Sequence, residues 1–185
     1  MLTMPGDPVT GDQAARERAG EATKPEFGEV LREHQAMVFS IALHFLRDRS
    51  AAEEVAQDVF LQLHRNFDSI DPARVVFWLR RVTSNRSIDY VRKRKLRSTV
   101  ALEDVAEPRS AESTGDFMLN ERLRALVATL PEKPRMVMVL RYQEDVMPEE
   151  IAQILGMPVR TVKSHLQRSL AMLREKIQRS MGDVR

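Results

Sequence analysis

The stretch PEEIAQILGMPVRTVKSHLQRSLAMLREKIQ, Pro148 to Gln178, decides how this chain folds. Pro148 opens a short helix over Glu149 to Leu155, because proline sacrifices no needed hydrogen bond at a first helical position. Gly156-Met157-Pro158 breaks it, and a long helix follows from Val159 to about Gln178. Ile151, Ala152 and Leu155 on the first, with Val162, Leu166, Leu170, Leu173 and Ile177 on the second, form one continuous apolar seam. Two helices sharing a seam across a tight turn make a helix-turn-helix. Opposite the seam, the second helix exposes Arg160, Lys163, Ser164, Gln167 and Arg168, residue types that match base edges and phosphates in a major groove. A generic three-helix core with a solvated charged face carries the same pattern, so the rest of the chain has to decide between the two.

Upstream, Leu119, Leu123, Leu126, Val127 and Leu130 form a helix that stops at Pro131, and Pro134 to Tyr142 forms another with Val137, Val139 and Leu140 inward. These complete a C-terminal helical domain over 117–180. Residues 98–116 have no helical stripe and carry Pro108, Gly115, Ser and Thr, with five acids against Arg109 alone, which predicts a flexible acidic linker.

An N-terminal helical domain is expected over 26–97. Phe27, Val30, Leu31, Met37, Val38, Ile41, Ala42, Phe45 and Leu46 share one face of a helix ending near Arg47. Ser50 with Glu53 reads as a capping box. The helix it opens turns Val55, Val59, Phe60 and Leu63 inward and leaves Glu53, Glu54, Gln57 and Asp58 outward. After the polar loop Asn66 to Asp71, Asp71-Pro72 supplies an N-cap and a first-position proline for a third helix through Val75, Trp78, Leu79 and Val82. Residues 1–25 hold too few large apolar side chains to offset the entropy of ordering and are expected to be a disordered tail.

The fold class expected is therefore all-α, two small helical domains joined by a linker. With 43% apolar but only 5% aromatic residues and seven Gly in 185, the composition agrees. No run of about 18 apolar residues exists and no secretory signal opens the chain, so a cytoplasmic location is expected. Zero cysteines remove disulfides, thiolate nucleophiles and Cys-ligated zinc, and His34, His44, His64 and His165 lack metal spacing, so no metal or other cofactor is expected.

The net charge of +2 is uninformative, but its distribution is not. Arg74 to Arg97 holds nine bases against Asp89, and Arg160 to Arg179 holds six against Glu175. Two basic blocks in two domains favour nucleic acid over a solvated face. Phe77 and Trp78 beside Arg80 and Arg81 have the chemistry to stack on exposed bases, although Trp78 also sits at core spacing from Val75 and Val82. Asn85 is a compact polar group among the bases, suited to a base edge. Glu54 and Asp58, one turn apart, lack a third ligand, which favours an acidic docking or solvated face over a catalytic or metal pair. No enzyme activity and no small-molecule substrate are expected. Two rivals stand beside the reading below: a regulator using the helix-turn-helix without polymerase, and a nuclease with metal at Glu54 and Asp58.

The segments AEEVAQDVFLQLHR (Ala52 to Arg65) and FWLRRVTSNRSIDYVRKRK (Phe77 to Lys95) resemble conserved region 2 of extracytoplasmic-function (ECF) sigma factors of the sigma-70 family. The segment Leu130 to Glu175 resembles their region 4. Both occur in the family's order and span nearly everything outside the tail and linker. The resemblance implies an initiation factor that binds core RNA polymerase through its largest-subunit clamp and its flap, directs it to promoter DNA and promotes melting. It further implies core-polymerase contacts at Glu54, Gln57 and Asp58, and minus-ten contacts at Arg81, Asn85, Asp89, Arg92 and Lys93, with Asn85 and the loop Asn66 to Ala73 holding a flipped base. Minus-thirty-five contacts would come from Arg160, Lys163, Ser164, Gln167 and Arg168, and an anti-sigma protein would sequester the chain. The chain departs from the family at His165 and Leu170, where Arg is frequent, at Met147, where Ser or Thr is frequent, and in a short loop without the usual Gly.

Overall fold

The computed structural model describes the backbone of residues 25–100 and 123–182. All of the expected tail, 1–25, except Pro25 and most of the expected linker therefore lie outside the described residues. Within them every regular element is helical, and the class is all-α.

Helix α1 spans Phe27–Leu46 and begins with a reciprocal capping box between Glu26 and Glu29. It ends because Arg47 turns left-handed, φ 57°, while its N–H still donates to the Leu43 carbonyl at 2.8 Å. Helix α2, Arg49–Asn66, is capped by Asp48, whose side chain accepts from the Ala51 N–H at 3.1 Å. The box expected at Ser50 and Glu53 does not form. Asp48 precedes both and satisfies the free amide first, leaving Ser50 in the first turn. Asp71 caps a single 3₁₀ turn, Pro72–Arg74, which feeds helix α3, Val75–Val100. That helix runs three residues past the end of the basic block.

A segment helical over 123–128, here α4, leads to α5, Glu132–Tyr142, then α6, Pro148–Leu155, and α7, Val159–Gly182. Gly156 closes α6 in the left-handed region, φ 60°, and the Met157 N–H donates to the Ala152 carbonyl at 3.0 Å. This is the helix-turn-helix bend expected from Gly156-Met157-Pro158.

Three apolar clusters hold these helices. The first binds α1, α2 and α3 through Val38, Ala42, Val55, Val59, Leu63, Val75 and Leu79. Trp78 joins it at the edge, as its spacing predicted. A small one joins Leu130, Met138 and Leu173. The third spans the two helical sets: Ile41, Phe45 and Ile88 from the first pack with Met136, Val139, Leu140, Ile151, Ile154 and Val162 from the second. Burying a side chain of this size contributes about 1.5–3 kcal/mol, so the junction is a substantial part of the fold.

Candidate nucleic-acid interface

The loop between α2 and α3 forms one wall of an open cavity of about 500 Å³. Gln62, Asn66, Ser69 and Asp71 offer amide, hydroxyl and carboxylate groups to it. Phe77 and Trp78 offer rings, and Arg74 and Arg81 offer guanidinium groups. Arg74 lies over the Phe77 ring at 5.7 Å. The local folding follows from two caps. Asn66 donates from its side chain to the Gln62 carbonyl at 2.7 Å, ending α2, and Asp71 accepts from Ala73, turning the chain into α3. A planar aromatic ligand with polar edges and a phosphate fits this inventory: rings stack, amides bond edges, and guanidinium groups pair with anionic oxygen.

The minus-ten set divides between two places. Arg81 reaches the loop cavity, whereas Asn85 is exposed one turn further along α3 and lines a separate cleft of about 330 Å³ with Asp89, Arg92, Lys133, Leu155 and Met157. Asp89 and Arg92 pair at 3.9 Å, and Lys93 is exposed on the following turn. Asn85 and the loop thus occupy neighbouring stations along one helix face. Arg74, which the charge count included but no role singled out, belongs to the loop cavity. The signal for it was its place directly after the Asp71-Pro72 cap.

On α2, Glu54 and Gln57 are exposed. Asp58 is held by Arg86 of α3 at 3.9 Å, and the same arginine donates to Gln62 at 3.0 Å. Beside this acidic face runs an open apolar groove of about 850 Å³ between α1 and α2, lined by Phe27, Leu31, Phe39, Phe60 and Leu61 together with Glu53 and Gln57. Leu61 is 56% exposed there. It went unnoticed in the sequence because only its position among polar residues, not its type, marks it. An apolar groove whose polar rim includes the paired Arg49 and Glu53 is a surface for an amphipathic partner helix. Among the described residues no three His, Cys, Asp or Glu side chains come together in a way that would hold a metal ion. The donor set for the metal-nuclease rival is therefore not assembled there.

On α7, Arg160, Lys163, Gln167 and Arg168 are exposed and Ser164 is half-buried, all on the side away from buried Val162 and Leu173. Glu149, at the start of α6, reaches Lys163 at 3.1 Å. Its own backbone N–H and then Lys163 hold its carboxyl below the usual range. Burial, then the charges of Arg168 and Lys133, lower the His165 imidazole, so a neutral ring sits among the cations.

Two family models match the chain: Sigma-70 region 2 over residues 30–97 and Sigma-70 region 4 over residues 120–173. Among curated relatives, the RNA polymerase sigma-E factor of Streptomyces avermitilis is 34% identical over 86% of this chain and 89% of its own length. The ECF RNA polymerase sigma factor SigE of Mycolicibacterium smegmatis is 28% identical over 97% of this chain and 72% of its own. Among solved structures, the Bartonella quintana sigma factor RpoE, in complex with the anti-sigma factor NepR, shares the fold. It matches at TM-score 0.68 with 20% identity, over 82% of this chain and 96% of that one. The first matched region holds the loop cavity and α3, the second holds the helix-turn-helix, and their order is the family's: the chain belongs to the ECF sigma factors of the sigma-70 family.

Proposed function

We propose that this chain directs core RNA polymerase to promoters by holding one unpaired base of the minus-ten element in the loop cavity while α7 reads the minus-thirty-five element. The observation that carries this is the cavity's inventory of two rings, two guanidinium groups and edge-bonding amides at the foot of a basic helix. Extruding a base costs a few kcal/mol, and stacking it on an aromatic ring returns about 1–3 kcal/mol per base, so one such site with flanking phosphate contacts offsets the cost. Arg74 and Arg81 serve the cavity. Asn85, Asp89, Arg92 and Lys93 serve the next stretch of the strand. Arg160, Lys163, Ser164, Gln167 and Arg168 serve the upstream major groove.

Glu54 and Gln57 with the adjoining apolar groove are the surface for the polymerase clamp, and Asp58 contributes through its pairing with Arg86. Region 4 would meet the flap. The factor performs no catalysis of its own and works where the polymerase works, in the cytoplasm. A sequestering anti-sigma protein, of the kind bound in the Bartonella structure, is its regulatory partner.

The test is in vitro transcription with purified core polymerase on a pool of host promoter fragments, with the chain, without it, and with Asn85→Ala or Arg81→Ala. Defined transcripts that need the chain and weaken in both variants are expected. DNA binding without core binding and without transcripts would replace this reading with the polymerase-independent regulator.

A further inference from the structure

The exposed face of α7 treats its cations unequally. Arg160, Lys163 and Arg168 all stand on it, but among the described residues only Lys163 has a carboxylate partner, Glu149 of α6, at 3.1 Å. The start of α6 explains why Glu149 is there. Met147 gives the helix no side-chain cap and Pro148 has no N–H, so Glu149 carries the first helical amide that needs an acceptor. Its carboxylate takes that amide and the Lys163 ammonium together. Both side chains are more than half exposed, so the pair contributes little to holding the fold.

The consequence is for what Lys163 can read. A cation that meets a phosphate gains affinity by displacing counterions, and that gain is the same for every sequence. Lys163 is neutralised in advance, and carrying it to a phosphate would bring the Glu149 carboxylate against the same anionic backbone. A base edge is different. An ammonium has three donors; Glu149 takes one, and two remain for acceptors such as O6 and N7 of guanine. The lysine stem is long and flexible, so holding its end also lowers the cost of ordering it against a base. One contact is favoured and its competitor disfavoured, which is how discrimination is built.

We propose that Glu149 is a specificity-determining residue of the upstream-DNA interface, a positioning group that reserves Lys163 for a base edge and withholds it from phosphate. This rests on the reading of α7 as the minus-thirty-five reader given above. Glu149 itself need touch no base.

Glu149→Gln removes the charge and keeps the shape. Glu175→Gln, which releases Arg179 near the far end of α7, changes the net charge by the same amount and serves as the control. Transcription by the loaded polymerase from competing templates, one natural and one with a single upstream base pair replaced, measures discrimination at each position in turn. Anisotropy of the full chain on a duplex lacking the upstream element, at several salt concentrations, measures phosphate contact. Glu149→Gln is expected to lower discrimination about two- to fivefold at one position and to steepen the slope of log affinity against log salt by about 1, with helix content by circular dichroism unchanged. In a Lys163→Ala background it should do neither, and Glu175→Gln should do neither. Unchanged discrimination in Glu149→Gln overturns the inference. So does a steeper slope that persists without Lys163, which would mean simple repulsion of DNA by the carboxylate, or an equal effect from Glu175→Gln. If the natural chain itself shows no preference at any upstream position, the minus-thirty-five reading fails and this inference falls with it.

Discussion

Gly156 is the hinge of the helix-turn-helix, and the cost of replacing it follows from its surroundings. It sits at φ 60°, ψ 44°, and a Cβ added there would meet no heavy atom of the neighbouring structure within 4 Å. The penalty of Gly156→Ala is therefore purely conformational. Holding an L-residue in the left-handed region costs roughly 1–2 kcal/mol. Alanine also restricts the unfolded chain, which offsets about 0.4–1 kcal/mol of that. The net destabilisation expected is about 1 kcal/mol, which lowers the melting temperature by roughly 3–6 °C for a unit of this size. Gly156→Asn should cost less than alanine, because asparagine tolerates this backbone, and Gly156→Val should cost more. Urea unfolding followed by circular dichroism measures the series, and binding of upstream promoter duplex below the transition should be unchanged for alanine and asparagine. A loss above about 3 kcal/mol for alanine would mean that the added Cβ clashes. Asparagine no better than valine would mean that the backbone there is not left-handed. Either result refutes the reasoning.

Placing positive charge on the exposed face of α2 with Glu54→Arg and Gln57→Arg should weaken core-polymerase binding at least tenfold while changing stability by no more than about 0.5 kcal/mol, as read by pull-down titration and denaturant melts. Lys163→Ala and Arg168→Ala should each lower affinity for the upstream element. Whichever residue contacts a phosphate should also reduce the slope of log affinity against log salt by about 1, measured by anisotropy at several salt concentrations. His44 of α1 is lowered from 6.5 by burial first and by Arg124 next, against an opposing pull from Glu144. The unfolded chain therefore takes up a proton near pH 6.5 while the folded chain does so only at lower pH, and stability present above 6.5 is lost as the pH falls below it. Thermal melts from pH 7.5 to 5 should show this decline, and His44→Asn should reduce it.

Local structure was legible where one residue's chemistry settles it. Gly156-Met157-Pro158 marks a turn because few other residues tolerate that backbone, and Asp71-Pro72 marks a helix start because aspartate and proline both prefer it. Where neighbours compete for one role, the pattern was ambiguous. Asp48 and Ser50 are both good caps two residues apart, and only the backbone path shows that Asp48 takes the Ala51 amide. The exposed face of α7 was equally readable, since a 3.6-residue period with a strong apolar stripe leaves its other side no choice.

The helices, their turns, the two basic blocks and the family resemblance are thus all legible in the order of residues alone. The tertiary structure alone decided which of the apolar residues are shared. Ile41, Phe45 and Ile88 obey the same periodicity as residues of the first set's own core, yet they face the second set. It likewise placed Arg74 and Arg81 around one cavity and Asn85 in another, although all three are polar residues of one short stretch. Periodicity reports that a side is buried. It carries no information on what buries it, because hydrophobic burial is non-directional and any apolar face of matching shape satisfies it.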